Sequence, residues 1–409
     1  MRGVPVRRNA ILFLLSGIFL FLCSACATTH DPAAHEQLQK GVSGQTADDE
    51  KELRKAAQKL EQQIETDGFR YRDDRLDAYL ASVTQRLLPT DLPFEEVPRI
   101  RVIRSPFPNA FALPNGAVYL HTGLLAKMEN EAQLAAILGH ELTHFTHRHA
   151  LQETRKKRER SSFSRAMESV MSSVGTVLGG DEGGQELKGL VGDIRDAWVQ
   201  VSLKGYSREL ETEADEEGFR VMVRAGYDPA EATRVFELLK KDLDETKGRE
   251  PYFFSTHPRL QERIDNYRRL AAARTTEQSG QSERRSEDYL RHTVRLLLDN
   301  AVMDIRTGRF KSAEAALEKG LLHEPQNARV FFLRGEMRRY AEDIPAAIEE
   351  YREAAQRDPA FAEPHRELGF LYLRMKRLDD AYAAFEQYLR LKPDAPDMVD
   401  VRRILAPPK

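Results

Sequence analysis

The segment Ala132-Gln-Leu-Ala-Ala-Ile-Leu-Gly-His-Glu-Leu-Thr-His144 decides the fold and points to the chemistry of this chain. Its apolar residues predict a buried helix that carries His140 and His144 four residues apart. An α-helix advances about 100° per residue, so the two imidazoles lie roughly 40° apart on one face. Both can therefore reach one cation, and Zn²⁺ is a suitable ion for two imidazoles. Glu141 lies beside the first histidine, where its carboxylate can approach a water without binding the ion.

A second segment, Ser207-Arg-Glu-Leu-Glu-Thr-Glu-Ala-Asp215, supplies the missing donor. Its Glu211 and Asp215 are four residues apart and share a helix face. For the first segment alone, a buried helix with two hydrogen-bonded histidines is the alternative, and the second segment favours the metal. Two histidines and one glutamate, with a fourth position left for water, are the donor set of a catalytic zinc site. The sequence therefore predicts one Zn²⁺ per chain, with Glu141 as general base and Asp215 accepting a ligand histidine's free N–H.

Other titratable residues of these segments are predicted to lie outside the site. His149 follows His144 by five residues. On a continuous helix this is about 140° around the axis, so His149 cannot join the same ion. His147 is predicted to lie near the site without binding, or to be exposed, and Glu213 to face solvent.

The surrounding sequence predicts an α+β domain over residues 49–272, mainly helical with a small antiparallel sheet. Residues 99–105 alternate between polar and apolar as a half-buried strand does, and residues 109–120 carry Pro-Asn-Gly in a hairpin pattern. Helical periodicity covers 49–88, with an interruption near Gly68, and 122–150. Residues 166–192 are rich in Gly and Ser. They are expected to form a lid over a cleft or a surface insertion.

The C-terminal part repeats with a period of 34 residues. The positions in register are Pro325, Pro359 and Pro393; Ala313, Ala347 and Ala381; and Phe310, Ile344 and Leu378. This period, with Pro after the second helix, is the tetratricopeptide pattern of an all-α solenoid. We expect a linker at 273–288, about three repeats at 289–396 and a tail at 397–409. Such arrays bind extended peptides or protein surfaces, and a purely structural appendage is the alternative.

The N-terminus predicts export. Residues 1–26 combine arginines, a short apolar stretch and small residues, as a secretory signal does. Ser24-Ala25 before Cys26 favours a lipoprotein signal with Cys26 lipidated, and cleavage after Ala27 is the alternative. Residues 27–48 are expected to be a tether, giving a periplasmic protein anchored by lipid to the outer membrane. Both cysteines lie within residues 1–26. The chain has a net charge of −3 and no strongly basic domain, which argues against nucleic acid as a partner.

Four motifs in order carry a family resemblance. They are Asn109–Gly116, the His-Glu-x-x-His helix, Tyr206–Asp215, and Ser255–Pro258 with Glu262-Arg-Ile264 after it. Residues 50–272 resemble the HtpX/Oma/BepA-type zinc metallopeptidases, which are gluzincins. With the signal segment and the repeats, the whole chain resembles the BepA type of periplasmic protease–chaperones, although its repeats are fewer.

The resemblance implies a role for each matching residue. His140, His144 and Glu211 are the implied metal ligands, Glu141 the base, and Asp215 the acid that supports the site or donates a proton. The implied substrate-binding edge strand comprises Asn109, Ala110, Phe111 and Ala112. His257 is implied to lie near the metal, either bonding the oxyanion or filling the fourth zinc position at rest; a turn-capping role is the alternative.

The resemblance also implies a function. The expected activity is endopeptidase cleavage of misfolded or unassembled envelope proteins by a zinc-bound water that Glu141 activates. The expected partners are unfolded substrates and, through the repeats, the envelope protein-assembly machinery. The alternative is a chaperone or assembly scaffold that uses the repeats and cleaves little.

Overall fold

The computed structural model describes residues 44–88, 97–160, 205–245, 257, 259–273 and 279–405. The predicted signal with Cys26, residues 27–43 of the predicted tether and the segment 166–192 lie outside these residues. Within the described part of the chain, no helix combines the length and apolarity needed to cross a bilayer.

The first half of the described chain contains all of its strands. The elements in order are α1 (Gly44–Thr66), β1 (Arg70–Tyr71), α2 (Asp74–Leu87), β2 (Arg99–Ile103), β3 (Ala110–Ala112), β4 (Ala117–His121), α3 (Thr122–Lys127), α4 (Glu131–Thr146), α5 (His149–Arg160), α6 (Arg208–Arg224), α7 (Ala230–Glu245) and α8 (Leu260–Ala272). Helices dominate, so the predicted α+β class is confirmed. The predicted interruption near Gly68 holds the short strand β1, which the helical periodicity did not indicate.

The sheet is mixed, and in this respect the predicted antiparallel sheet is wrong. Its described strands lie in the order β1-β2-β4-β3. The hairpin β3–β4 is antiparallel as predicted, but β2 and β4 run parallel, with Arg99 opposite Ala117 and Ile103 opposite His121. The chain reverses once between β2 and β3 and again between β3 and β4. The second reversal returns β4 to the direction of β2 and places it between β2 and β3.

Helix α4 is the centre of the domain. The Asn130 side chain caps its N-terminus by accepting a hydrogen bond from the Gln133 amide. Its residues from Glu131 to Phe145 are all buried, and it packs against β3 on one side and α6 and α7 on others. A helix buried all round matches the apolar sequence that precedes His140.

The C-terminal part is a helical array. Its elements are α9 (Ser279–Arg306), α10 (Phe310–His323), α11 (Ala328–Tyr340), α12 (Ile344–Arg357), α13 (Glu363–Arg374), α14 (Leu378–Leu391) and α15 (Met398–Leu405). Successive helices from α9 to α14 pack as three antiparallel pairs, and α15 packs on α14. This arrangement confirms the predicted all-α solenoid class.

Helix α9 joins the two parts of the molecule. Its Tyr289 and Leu296 belong to the core around α4, whereas its Leu298 and Ala301 belong to the core of the first helix pair. The helix begins at Ser279, inside the predicted linker 273–288, and α1 likewise begins at Gly44, inside the predicted tether 27–48. Polar composition argues against burial but does not prevent helix formation, because Glu, Gln and Arg are good helix formers.

Candidate metal centre

Two glycines bring α4 and α6 into backbone contact at the site. A Cβ built on Gly139 lies 2.8 Å from the Gly218 carbonyl oxygen, and one built on Gly218 lies 2.7 Å from the His140 amide nitrogen. Only glycine allows two helices to approach this closely. The contact places Glu211, two turns before Gly218 on α6, opposite the histidines of α4.

Four buried side chains converge at this crossing. His140, His144, Glu211 and His257 each offer one donor atom, and the four atoms all lie within 4.8 Å of one another. His140 Nε2 is 3.0 Å from His144 Nε2 and 3.6 Å from Glu211 Oε2. His144 Nε2 is 3.5 Å from Glu211 Oε1. The structure thus brings the three predicted ligands together from segments far apart in the chain.

His257 completes the group. Its Nδ1 lies 3.2 Å from His140 Nε2 and 3.1 Å from both carboxylate oxygens of Glu211. Burial favours the neutral ring, but the carboxylates of Glu211 and Glu141 prevail and raise the pKa of His257 above its ordinary value. The side chain lies in the site and not at its edge.

These distances fit a zinc ion. Tetrahedral ligands at about 2.05 Å from a zinc are separated from each other by roughly 3.3 Å. The separations given above between donor atoms run from 3.0 to 3.6 Å. Burial lowers the pKa of His140 to about 4 and that of His144 well below its ordinary value. Both rings are therefore neutral at pH 7 and keep a lone pair for a cation.

Glu141 lies beside the donors without joining them. Its side chain is buried, and its Oε1 is 3.4 Å from His257 Nε2. Neither carboxylate oxygen has a hydrogen-bond partner of normal geometry in the described part of the chain. Burial raises the pKa of Glu141 to about 7, against the lowering influence of His257. A buried carboxylate next to a metal-donor set, with a pKa near neutrality, is suited to accept the proton of a water.

Asp215 lies against the ring of His140. Its Oδ1 lies 2.9 Å from His140 Nδ1, on the side of the ring away from the other donors. Arg263 donates two bonds to Oδ1 and one to Oδ2 of Asp215, at 2.6 to 3.1 Å, and Tyr267 donates its hydroxyl at 2.8 Å. Burial alone would raise the pKa of Asp215, but the Arg263 charge and the His140 contact hold it well below its usual range.

Arg263 lies in the site, although the sequence analysis assigns it no role. It is buried, and its Nη1 lies 3.7 Å from Glu211 Oε2. Its Nη2 lies 3.0 Å from His140 Nδ1, the nitrogen that also faces Asp215. The carboxylate of Asp215 only accepts and favours an N–H on this nitrogen, whereas the guanidinium only donates and favours a lone pair there. The family motif containing Arg263 was the available signal, but its distance from the other motifs in sequence hid the contact.

The prediction for Glu213 needs correction, and His149 lies closer to the donors than a continuous helix would place it. His149 is fully buried, and its Nδ1 is 2.8 Å from His144 Nδ1. Glu213 is half-buried and does not simply face solvent, because its Oε1 is 2.9 Å from His147 Nδ1. His149 cannot join the same ion, as predicted, but it contacts a donor ring directly. Tyr206 stacks on the face of His144, with ring centroids 4.0 Å apart.

The predicted substrate strand lies at the margin of the described sheet. Within the described residues β3 pairs only with β4, and it packs against the helix that carries Glu141. Ala110 and Phe111 are buried, whereas Ala112 is half-buried. The backbone carbonyl oxygen of Asn109 accepts a hydrogen bond from the backbone N–H of His121 at 2.9 Å, which holds the start of the strand.

Comparison with known proteins agrees with this geometry. Residues 74–271 match peptidase family M48, and residues 339–405 match a tetratricopeptide repeat family. The M48 match includes all four donors and Glu141, and the repeat match lies within the helical array.

Named relatives of the M48 domain are peptidases. The mitochondrial metalloendopeptidase OMA1 of Schizosaccharomyces pombe is 34% identical over 191 residues, covering 46% of this chain and 50% of that protein. The corresponding OMA1 of Saccharomyces cerevisiae is 30% identical over 172 residues, covering 41% and 45%. The beta-barrel assembly-enhancing protease of Escherichia coli (strain K12) is 29% identical over 204 residues, covering 49% and 39%. The chain thus spans half or less of the length of these relatives.

Proposed function

We propose that this protein is a zinc-dependent endopeptidase whose ligands are His140, His144 and Glu211 and whose general base is Glu141. The observation that carries the proposal is the group of four buried donor atoms, all within 4.8 Å of one another, beside the buried carboxylate of Glu141. A structural zinc site needs no such carboxylate, whereas a hydrolytic site does. The M48 match and the peptidase names of the relatives support the same chemistry.

The chain's own residues account for proton transfer. When bound, zinc lowers the pKa of a coordinated water to about 7 and polarises a carbonyl oxygen. Glu141 accepts the proton of the attacking water and returns it to the leaving amine. A pKa raised to about 7 suits a group that must both accept and donate a proton at neutral pH. Asp215 fixes the ring of His140 and keeps its N–H on Nδ1.

His257 is proposed as a resting-state ligand. The support is that its Nδ1 lies 3.2 Å from His140 Nε2 and 3.1 Å from Glu211 Oε1, so it could bind an ion held by these donors. A hydrogen-bond donor to the oxyanion would instead face the space in which the substrate carbonyl lies. In this conformation the histidine closes the fourth position, so substrate must displace it.

Substrate is proposed to bind as an extended strand along β3, through Asn109, Ala110, Phe111 and Ala112. A strand at the margin of a sheet can add an extended peptide as a further strand through backbone hydrogen bonds, whatever the sequence of the peptide. The strand packs against α4, so a peptide paired with it passes close to Glu141. This mode suits unfolded chains better than folded ones.

The repeats and the N-terminus support a role in the cell envelope. We propose that misfolded or unassembled envelope proteins are the substrates and that the repeats contact the assembly machinery. We also propose that the chain is exported and that Cys26 anchors it by lipid to the outer membrane. The protease name of the Escherichia coli relative, which refers to β-barrel assembly, supports this context. The second candidate function is a chaperone or scaffold, which the tetratricopeptide match favours.

Cleavage of casein by purified full-length protein tests the proposal. Wild type is expected to cleave casein, to lose activity with a chelator and to regain it with zinc. Glu141→Gln is expected to retain zinc and fold but not to cleave. The control is Glu129→Gln, a change just before the same helix and away from the donors. Equal cleavage by Glu141→Gln and wild type would refute the base assignment. Zinc binding without any cleavage would favour the scaffold.

A further inference from the structure

The two donor histidines of α4 have different partners behind them. Behind His140 lies a carboxylate, since Asp215 Oδ1 is 2.9 Å from His140 Nδ1. Behind His144 lies another histidine, since His149 Nδ1 is 2.8 Å from His144 Nδ1. The far nitrogen of that ring, Nε2, faces Glu213 Oε2 at 3.6 Å, which is an electrostatic contact longer than a hydrogen bond. We call the contacts from His144 through His149 to Glu213 the His149 bridge.

We propose that His149 is a positioning residue that, together with Glu213, fixes the tautomer of His144 in which Nε2 is free to bind the metal. The inference rests on the zinc site proposed above. It adds a role for two residues that donate nothing to the ion themselves.

The proton positions follow from one requirement. If His144 Nε2 binds a cation, its ring proton lies on Nδ1. His149 Nδ1 must then be an acceptor, so the proton of His149 lies on Nε2. That N–H faces a carboxylate, which only accepts, and the other oxygen of Glu213 lies 2.9 Å from His147 Nδ1. Every contact in the bridge is then a donor facing an acceptor.

The opposite arrangement is unfavourable at both ends. Were His149 to donate through Nδ1, its Nε2 would present a lone pair to the carboxylate of Glu213. His144 would then carry its proton on Nε2, which lies 3.0 Å from His140 Nε2 among the donors. Glu213 therefore favours the tautomer that leaves the donor atom of His144 bare.

The backbone is shaped to make the bridge. Helix α4 ends at Thr146, Arg148 adopts a left-handed φ of 55°, and α5 begins at His149. A continuous helix would direct His149 about 140° away from His144. A left-handed conformation is costly for a residue with a side chain, and here it returns the chain so that His149 meets His144. The ring is buried against His144 and Tyr206, with centroids 4.9 and 6.0 Å away.

Zinc affinity of full-length variants, measured by competition with a chromophoric chelator, tests the bridge. His149→Phe keeps an aromatic ring but has no acceptor, and it is expected to weaken zinc binding by roughly 10- to 100-fold. His149→Asn places an amide oxygen where Nδ1 was, and it is expected to restore most of the affinity. His323→Phe, which makes the same change in the last turn of α10 in the helical array, is the matched control and should bind as wild type does.

Three outcomes would overturn the proposal. His149→Phe could bind zinc as tightly as wild type, or His149→Asn could bind as weakly as His149→Phe, which would indicate a role in packing alone. A second equivalent of zinc in wild type that is lost in both variants would make His149 a ligand instead. Failure of wild type itself to bind zinc would refute the proposed function and is thereby distinguished.

A spectroscopic measurement on wild type avoids any dependence on variant folding. In zinc-loaded protein with ¹⁵N-labelled histidine, long-range ¹H–¹⁵N spectra report which ring nitrogen carries the proton. The bridge requires His144 protonated on Nδ1 and His149 protonated on Nε2. A proton on Nδ1 of His149 would contradict it.

Discussion

The substitution Gly218→Ala tests the helix crossing that assembles the donors. The added Cβ would lie 2.7 Å from the His140 amide nitrogen, 2.8 Å from the Gly139 carbonyl carbon and 3.0 Å from the His140 Cα. All three atoms belong to the backbone of α4, so no flexible side chain can move aside. Reaching an ordinary contact of 3.4 Å requires α4 and α6 to separate locally by about 0.7 Å.

That separation exceeds what a zinc site tolerates. Ligand distances in zinc sites vary by only about 0.2 Å, and Glu211 lies on α6 whereas the histidines lie on α4. We expect zinc affinity to fall by at least about tenfold, because one ligand leaves its place or strain is transferred to the site. Overpacking typically costs about 1–3 kcal/mol, so the apo protein should also unfold more easily.

Two assays on full-length protein measure these effects. Urea unfolding with excess chelator gives the free energy of unfolding of the apo form, and chelator competition gives the zinc dissociation constant. Gly320→Ala is the matched control, because its Cβ meets only the side-chain ends of Leu298 and Val330, at 3.2 and 3.4 Å. Wild-type zinc affinity and stability in Gly218→Ala would show that the crossing is not tight and would refute the reasoning.

Three further predictions concern other parts of the structure. If His257 closes the fourth position, His257→Ala should raise the rate of casein cleavage and weaken zinc binding. A fall of about 100-fold or more in kcat would instead identify His257 as a hydrogen-bond donor to the oxyanion. Lys319 of α10 donates hydrogen bonds to the carbonyl oxygens of residues 126–128 at 2.7 to 3.1 Å. Lys319→Met should therefore lower the free energy of unfolding, measured in urea, by about 2–3 kcal/mol. The same change at the exposed Lys311 should leave it unchanged. Burial lowers the pKa of His121 to about 4, so below pH 6.5 the unfolded chain binds more protons than the folded chain. The free energy of unfolding should therefore fall by up to about 3 kcal/mol between about pH 6.5 and 4. His121→Asn should lack this fall, and parallel curves of unfolding free energy against pH for wild type and variant would contradict the assignment.

Local patterns in the sequence predicted most of the metal centre. The spacing of His140 and His144 needs only one helix, and the second segment supplied Glu211 and Asp215 because both lie on one face of α6. The hairpin of β3 and β4 was likewise readable from its turn residues. These features depend on helix and turn geometry within a few residues, and the structure reproduces them.

Features that depend on distant contacts were not readable. The parallel pairing of β2 with β4 follows from two reversals whose directions no pattern encodes. Arg263 lies 48 residues after Asp215 and meets it only through the packing of α8 on α6. The sequence analysis places His149 away from His144 on a continuous helix. The left-handed backbone of Arg148 interrupts that helix and brings His149 into contact with His144. Gly139 lies in the segment that carries the histidines, but its contact with Gly218 becomes visible only in the helix crossing.

The central claim concerns a single ion held by donors from α4 and α6. Elemental analysis of full-length protein purified without chelators measures it most directly, with Glu211→Gln prepared in parallel. Wild type is predicted to contain one zinc per chain, and the variant to contain substantially less. Wild-type protein without stoichiometric zinc, or a variant that still holds one ion per chain, would contradict the account.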